Sequence, residues 1–170
     1  MTRASDTARL IGAGATINDG TTITTADNTT QLTLKSTDAD GSSGPLLDLT
    51  RDSGSPADGD VTGIIRFRAD NDAGEVTTTG QIVSLLNDAS DGTEDGEIKI
   101  ETMIAGSAQP RIDILPSETV FNEGSVDVDF RVETDGDANT LFVEGSTNRV
   151  GIGTSSPTAQ LQCEGGAVVF

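Results

Sequence analysis

The segment Val126-Asp127-Val128-Asp129-Phe130-Arg131-Val132-Glu133 alternates apolar and charged residues without a break. Successive side chains of a β-strand point to opposite faces, so this alternation is typical of a strand with one buried and one solvated face. An amphipathic helix would instead place its apolar residues three and four positions apart. The segment therefore predicts a half-buried β-strand.

Short apolar runs separated by clusters of Asp, Gly and Ser continue this pattern along the chain from Gln31 onward. Short strands joined by tight turns, as predicted at Asn71 to Gly74 and at Thr134 to Asn139, favour antiparallel meanders or hairpins. Only Gly80 to Asn87 leaves one or two helical turns as an alternative. Outside the opening segment, the apolar residues of the runs are Leu32, Leu34, Leu46, Leu47, Leu49, Ile64, Ile65, Phe67, Ile82, Val83, Leu85, Leu86, Ile98, Ile100, Ile112, Ile114, Phe142, Val143, Val150 and Ile152.

The composition predicts a thin hydrophobic core. Of 170 residues, 34% are apolar and 3% aromatic, with no Trp and no Tyr. Large apolar rings supply much of the burial that offsets chain entropy, so such a chain needs many small strands, contacts between copies, or both. Disorder is the compositional alternative, and the regular patterning argues against it. We predict an all-β fold of short antiparallel strands in a meander or prism, with a solenoid and a sandwich left open.

The formal net charge of −18 opposes nonspecific binding to nucleic acid or to an anionic membrane. We expect no nucleic-acid partner and no membrane insertion, since no apolar stretch approaches the length of a membrane span. The segment Met1 to Asp6 is polar and lacks the apolar core of a signal peptide. This predicts synthesis in a cytoplasm without a cleaved secretory signal.

The residue types required for most catalytic sites are missing. The chain has no His to serve as a general base, and its one cysteine, Cys163, is interpreted as a small strand residue. Gly151-Ile152-Gly153 lacks the third glycine of a dinucleotide-binding fingerprint. We predict that the protein is not an enzyme, has no catalytic residues and binds no cofactor.

Acidic clusters and isolated arginines are the remaining candidates for binding sites. Calcium needs several oxygens at once, and Asp-Gly pairs of this kind ordinarily form turns, so we predict no metal site. The clusters are Asp38 to Gly41, Asp58 to Asp60, Asp91 to Asp95 and Asp135 to Asp137. Each arginine on a predicted strand is expected to pair with a carboxylate of a neighbouring strand or subunit. These arginines are Arg66, Arg68, Arg111, Arg131 and Arg149.

The alternate glycines Gly151 and Gly153 leave one face of a predicted strand bare. Glycines at such spacing indicate that another backbone approaches closely, and a second copy of this chain is the nearest candidate. The residues predicted to form an assembly interface are Ile64, Phe67, Val128, Phe130, Phe142, Val150, Gly151, Ile152 and Gly153.

Four stretches resemble the strand-rich repeat unit of bacteriophage tail fibres: Val120 to Gly124, Val126 to Glu133, Leu141 to Val143 and Asn148 to Pro157. The last of these contains Gly-Ile-Gly-Thr-Ser-Ser-Pro. Upstream, Leu32 to Ile114 is similar to fibre-like virion proteins of marine phages. The similarity is carried there by Lys35 to Asp38, Leu47 to Leu49, Arg51 to Ser53 and Ile64 to Phe67.

The resemblance implies a homotrimeric tail or head fibre, shaft or adaptor in a virion, used for host attachment. Its partners would be copies of itself, other tail or baseplate proteins and, as a further candidate, a host-surface glycan. The domains predicted are an N-terminal extended arm or attachment segment (1–30), a β-rich fibre domain (31–117) and a β-rich repeat-like segment (118–170). Nothing like the C-terminal chaperone or receptor-binding tip of many family members follows Leu161.

Two other classes of protein are alternatives to the fibre. In a self-polymerising extracellular filament, the arm or the segment Ala167 to Phe170 would insert into the sheet edge of the next subunit. A monomeric carbohydrate-binding sandwich would usually display aromatic platforms, and the absence of Trp and Tyr counts against it.

Overall fold

The computed structural model describes residues 20–42 and 44–165. The chain divides into two units, Met1–Asp48 and Leu49–Phe170. Residues 1–19 of the predicted arm and the segment Ala167 to Phe170 lie outside the described residues.

Every strand found in the described residues belongs to the second unit, and these residues contain no helix. The all-β prediction is therefore confirmed. In chain order the strands are β1 (Asp60–Asp70), β2 (Val76–Asp88), β3 (Asp95–Ile104), β4 (Ser107–Ile114), β5 (Thr119–Phe121), β6 (Phe130–Thr134), β7 (Asp137–Glu144), β8 (Arg149–Ile152) and β9 (Leu161–Cys163).

Strands β1 to β5 form a five-stranded antiparallel meander in sequence order. The predicted turn between β1 and β2 is confirmed: Asn71 Oδ1 accepts hydrogen bonds from the N–H groups of Ala73 (3.0 Å) and Glu75 (2.8 Å). The helical alternative at Gly80 to Asn87 is wrong, because β2 pairs with β1 on one side and β3 on the other.

Strands β6 to β9 form a four-stranded sheet in which β8 and β9 are parallel. Parallel neighbours usually need a crossover of a dozen or more residues, whereas residues 153–160 make this one. Hydrogen bonds hold the short connection: Val150 N–H donates to Gln160 O (2.9 Å), and Arg149 Nη1 donates to Pro157 O (2.9 Å). The antiparallel prediction thus fails for this one pair.

The alternating segment Val126 to Glu133 is a strand only from Phe130 onward. Its first half follows a turn organised by Asn122, whose Nδ2 donates to Val126 O (2.8 Å). Ser125 adopts a positive φ of 49°, and Val128 N–H donates back to Val126 O (2.8 Å). Because these local hydrogen bonds use the backbone groups that a strand would need for pairing, periodicity alone overestimated the length of the strand.

The leucine runs at 32–34 and 46–49 were also predicted as strands, and the structure has none there. Their side chains are exposed, and local side-chain bonds replace strand pairing in the neighbouring turn. Asp38 Oδ1 accepts from Asp40 N–H (3.3 Å), and Asp40 Oδ1 accepts from Ser42 N–H (2.7 Å). Alternation over three or four residues is therefore insufficient here without a partner strand.

The hydrophobic core is thin, as the composition predicts. Among the described apolar side chains, only Val83 and Phe142 are buried, each 7% exposed. One lies in each sheet, and many larger apolar side chains remain in contact with solvent.

Candidate assembly surface

Eight large apolar side chains lie on one face of the five-stranded sheet, called here the apolar face. Residues directly opposite each other in neighbouring strands share a face, as do residues two positions apart along a strand. One row crosses all five strands, and its neighbouring rows add isoleucines and a phenylalanine. The row is Ile65, Ile82, Ile100, Ile112 and Phe121, and the additions are Phe67, Ile98 and Ile114.

Most of the apolar face is open to solvent. Phe67 is 58% exposed, Phe121 51% and Ile65 43%. Leu49 packs over one end, close to Gly63, and the ring of Phe130 contacts Phe121 at the other end, with centroids 4.9 Å apart. Neither contact covers the middle of the face. A contiguous apolar surface of this kind marks an interaction site in most proteins.

The opposite face of the same sheet carries polar side chains in register. Arg66 Nε donates to Gln81 Oε1 (3.1 Å), and Gln81 Nε2 donates to Glu101 Oε2 (2.5 Å). These three residues are direct cross-strand neighbours on β1, β2 and β3. This polar row is therefore linked by its own side chains, on a face that also carries Ile64 and the buried Val83.

A buried ionic cluster lies beside this polar row. Lys99 on β3 is directly opposite Asp113 on β4, and Glu97 is two residues before Lys99 on the same strand. The Lys99 Nζ lies 2.6 Å from Glu97 Oε1 and 3.8 Å from Asp113 Oδ2. The two carboxylate side chains are only 6% and 3% exposed. Asp113 Oδ1 is buried and accepts no hydrogen bond.

Burial and the neighbouring Glu97 raise the pKa of Asp113 to about 6. The pKa of Glu97 is lowered: burial opposes the shift, and the Lys99 ammonium with other hydrogen-bond partners outweighs it. The Glu97 carboxylate also raises the pKa of Lys99. One ammonium thus faces two closely spaced carboxyl groups, and Asp113 is the one that takes up a proton first.

The four-stranded sheet contributes an open groove of about 370 Å³. Its apolar lining combines β6, β7 and β8 with the end of β5 and the turn that follows it. The apolar lining residues are Phe121, Val126, Val128, Phe130, Val143 and Val150. The structure therefore brings together three of the predicted interface residues: Val128, Phe130 and Val150.

Gly151 and Gly153 need close backbone approach, but the approaching backbone belongs to the same chain. A Cβ on Gly151 would lie 2.3 Å from Thr154 O, and one on Gly153 would lie 2.7 Å from Glu164 O. Gly153 also has a positive φ of 73°. The suggestion that a second copy packs against these glycines is corrected, since the connection from β8 and the residue after β9 fill that space.

The other predicted interface residues are separated by the structure. Ile64 and Phe67 lie on opposite faces of β1, because three positions separate them. Phe142 is buried within its own sheet, and Ile152 is 38% exposed on β8. The predicted interface residues include no isoleucine of the apolar face, although the alternation at Ile98, Ile100, Ile112 and Ile114 is visible in the sequence.

Among the described residues, none of the predicted arginines forms a salt bridge to a carboxylate of a neighbouring strand. The Arg66 side chain bonds to an amide, and Arg149 bonds to a backbone carbonyl. Arg131 pairs with Glu133 at 2.5 Å, within one strand. A salt bridge outside the predicted arginines joins Arg51 to Asp60 at 3.2 Å.

Carboxylates of the acidic clusters accept hydrogen bonds from the backbone. Asp58 Oδ1 accepts from Ala89 N–H (3.0 Å), and Asp137 Oδ1 accepts from Asn139 N–H (2.8 Å). Within residues 20–42 and 44–165, no three His, Cys, Asp or Glu side chains are grouped to hold a metal ion. The same residues include no helix with the length and hydropathy to span a membrane.

No protein-family model matches the chain, and no curated protein matches it significantly.

Proposed function

We propose that the protein is a structural subunit that self-assembles through the apolar face, as a homotrimeric segment of a phage tail or head fibre, shaft or adaptor. The observation that carries the proposal is the row Ile65, Ile82, Ile100, Ile112 and Phe121, which crosses a whole sheet and is largely uncovered. Self-association would complete the interior that one chain lacks. The threefold order and the virion context come from the resemblance to tail fibres.

The energetics favour an apolar interface. Burying the exposed part of each large apolar side chain contributes on the order of 1 kcal/mol, and eight such side chains are present per copy. Association costs roughly 4–15 kcal/mol, so a contact that uses the entire face is needed. Stacked sheets lie about 10 Å apart, a spacing that isoleucine and phenylalanine side chains fill.

The charge distribution is compatible with close packing of copies. The net charge of −18 per chain would oppose association if it were spread over the contact. The second central row, Ser84, Ile98, Ile114 and Thr119, is uncharged, like the first. Charged groups at Arg66, Lys99 and Asp113 belong to the opposite face. Association through the apolar face therefore keeps these charges away from the contact.

Light scattering coupled to size exclusion, on the full chain at physiological salt, tests the proposal. We expect a mass three times the 17.4 kDa of the chain. A monodisperse monomer would overturn self-assembly. Negative-stain images then separate the two modes of assembly: discrete short rods support the trimer, and indefinite filaments support head-to-tail polymerisation.

A further inference from the structure

We propose that the Glu97, Lys99 and Asp113 cluster is the site of a self-catalysed covalent cross-link, an amide bond between Lys99 Nζ and Asp113 Cγ that joins β3 to β4. The inference does not depend on assembly, because the cluster lies on the face opposite the apolar face.

The geometry places the reacting groups together. Lys99 and Asp113 are direct cross-strand partners, and the nitrogen is 3.8 Å from the nearer oxygen of the carboxyl group it would attack. Directly opposite residues have Cβ atoms about 4.5–5.5 Å apart, a distance that a bent lysine side chain spans. Reacting atoms attack from about 3–3.5 Å, so Lys99 Nζ must move closer to Asp113 Cγ before the bond forms.

Burial supplies the environment for amide formation. The Asp113 side chain is 3% exposed, and its Oδ1 has no hydrogen-bond partner to hold it in the ionised state. A buried carboxylate without compensation favours its neutral form, which is the electrophilic form. The raised pKa of Asp113 agrees with this environment.

Glu97 is placed to move the proton. Its carboxylate lies 2.6 Å from Lys99 Nζ, so it accepts a proton from the ammonium and frees the lone pair of the amine. The amine attacks Asp113 Cγ, the C–N bond forms and one C–O bond breaks. The hydroxyl of protonated Asp113 leaves with the proton that the attacking nitrogen loses, which gives water, and Glu97 passes the proton it took from the ammonium to solvent. Overall an ammonium and a neutral carboxyl group yield one amide, one water and one proton, with no change in oxidation state. Because Glu97 also raises the pKa of Lys99, the free amine is scarce and we expect a slow, single-turnover reaction.

Intact-mass and tryptic mass spectrometry of the purified full chain test the proposal. The expected intact mass is lower than the sequence mass by one water. Acylated Lys99 resists trypsin, so residues 69–111 should appear linked to residues 112–131. Separate peptides 69–99 and 100–111 in place of the linked species would overturn the cross-link.

Two variants separate this amide from other losses of water, such as cyclisation at Asp-Gly bonds. Lys99→Arg keeps the cation but removes the primary amine, so it should lose the linked peptide while any Asp-Gly product persists. Glu97→Gln keeps the shape but cannot accept the proton, so little linked peptide is expected after equal incubation. Equal linkage in Glu97→Gln would overturn the role of Glu97. A linked peptide in Lys99→Arg would overturn the assignment of the nitrogen.

Discussion

The two sheets of the second unit differ in how far their faces are covered by residues of the same chain. In the four-stranded sheet, the bare face at Gly151 is filled by the connection from β8, and Phe142 is buried. In the five-stranded sheet, no other described segment of the second unit covers the middle of the apolar face, and Phe67 and Ile65 remain exposed. The alternate glycines Gly151 and Gly153 therefore indicate a close contact within the chain. The alternating isoleucines instead form a surface that has no partner within its sheet.

The largest expected effect concerns the apolar face, and a matched pair of neighbours isolates it. Ile65 and Ile64 are adjacent on β1 with similar exposures of 43% and 38%, and they lie on opposite faces. Ile65→Asp should weaken self-association at least tenfold, because it removes on the order of 1 kcal/mol of apolar burial and adds the cost of desolvating a carboxylate in the contact. Ile64→Asp should leave the mass measured by light scattering unchanged.

Substitution of Gly151 tests the packing of the four-stranded sheet against its own connection after β8. Gly151→Ala places a Cβ 2.3 Å from Thr154 O, so the connection must shift, and we expect a loss of about 2–3 kcal/mol in the free energy of unfolding. Gly96→Ala in β3 is the control, because the nearest atom to its Cβ would be 3.9 Å away. Urea unfolding measures both, and equal stability of the two variants would contradict the packing described.

The ionic cluster predicts a pH dependence in Lys99→Arg, which retains the cation and cannot form the amide. Asp113 has a pKa of about 6 when folded and an ordinary value of 3.8, so the folded state holds the proton more tightly. Stability should therefore fall by about 2 kcal/mol as pH rises from about 4 to about 6. Glu97 acts oppositely, since its lowered pKa contributes stability that is lost as pH falls below 4.5.

Urea unfolding of Lys99→Arg at several pH values measures this slope. Adding Asp113→Asn should remove the fall between pH 4 and pH 6. If stability still falls between pH 4 and pH 6 in the double variant, a group other than Asp113 causes the fall.

The smallest expected effect concerns the turn that precedes the four-stranded sheet. Asn122→Ala removes the bonds to Val126 and places Ala at a φ of 66°, so we expect a loss of about 1–2 kcal/mol. Asn71→Ala removes the corresponding side-chain bonds in the β1–β2 turn and is the matched comparison. Thermal unfolding compares the two, and an unchanged midpoint in Asn122→Ala would contradict an ordering role for this residue.

Much of the fold was predictable from period-two patterning. The runs at Ile98 and Ile100, and at Ile112 and Ile114, are strands, because each has a partner on both sides. The leucines at 32–34 have the same local pattern and form no strand. Pairing is a tertiary property, so a short alternating run does not reveal whether a neighbour exists.

The candidate sites were less predictable. The choice of Ile64 with Phe67 combined opposite faces of one strand, and the Lys99 and Asp113 pair was not recognised at all. Fourteen positions separate these two residues in the sequence, and only the β3–β4 register brings them opposite each other. A period-two pattern assigns each residue to a face, but register decides which residues meet.

The sequence by itself determined an all-β chain with turns rich in Asp and Gly and a thin core, because composition and local alternation act over a few residues. Only the tertiary structure decided that Thr154 and Glu164 fill the space beside the glycines, that the isoleucines align into one exposed face, and that Lys99 faces Asp113. These contacts join residues that are distant or lie across a turn, so they depend on strand order and register.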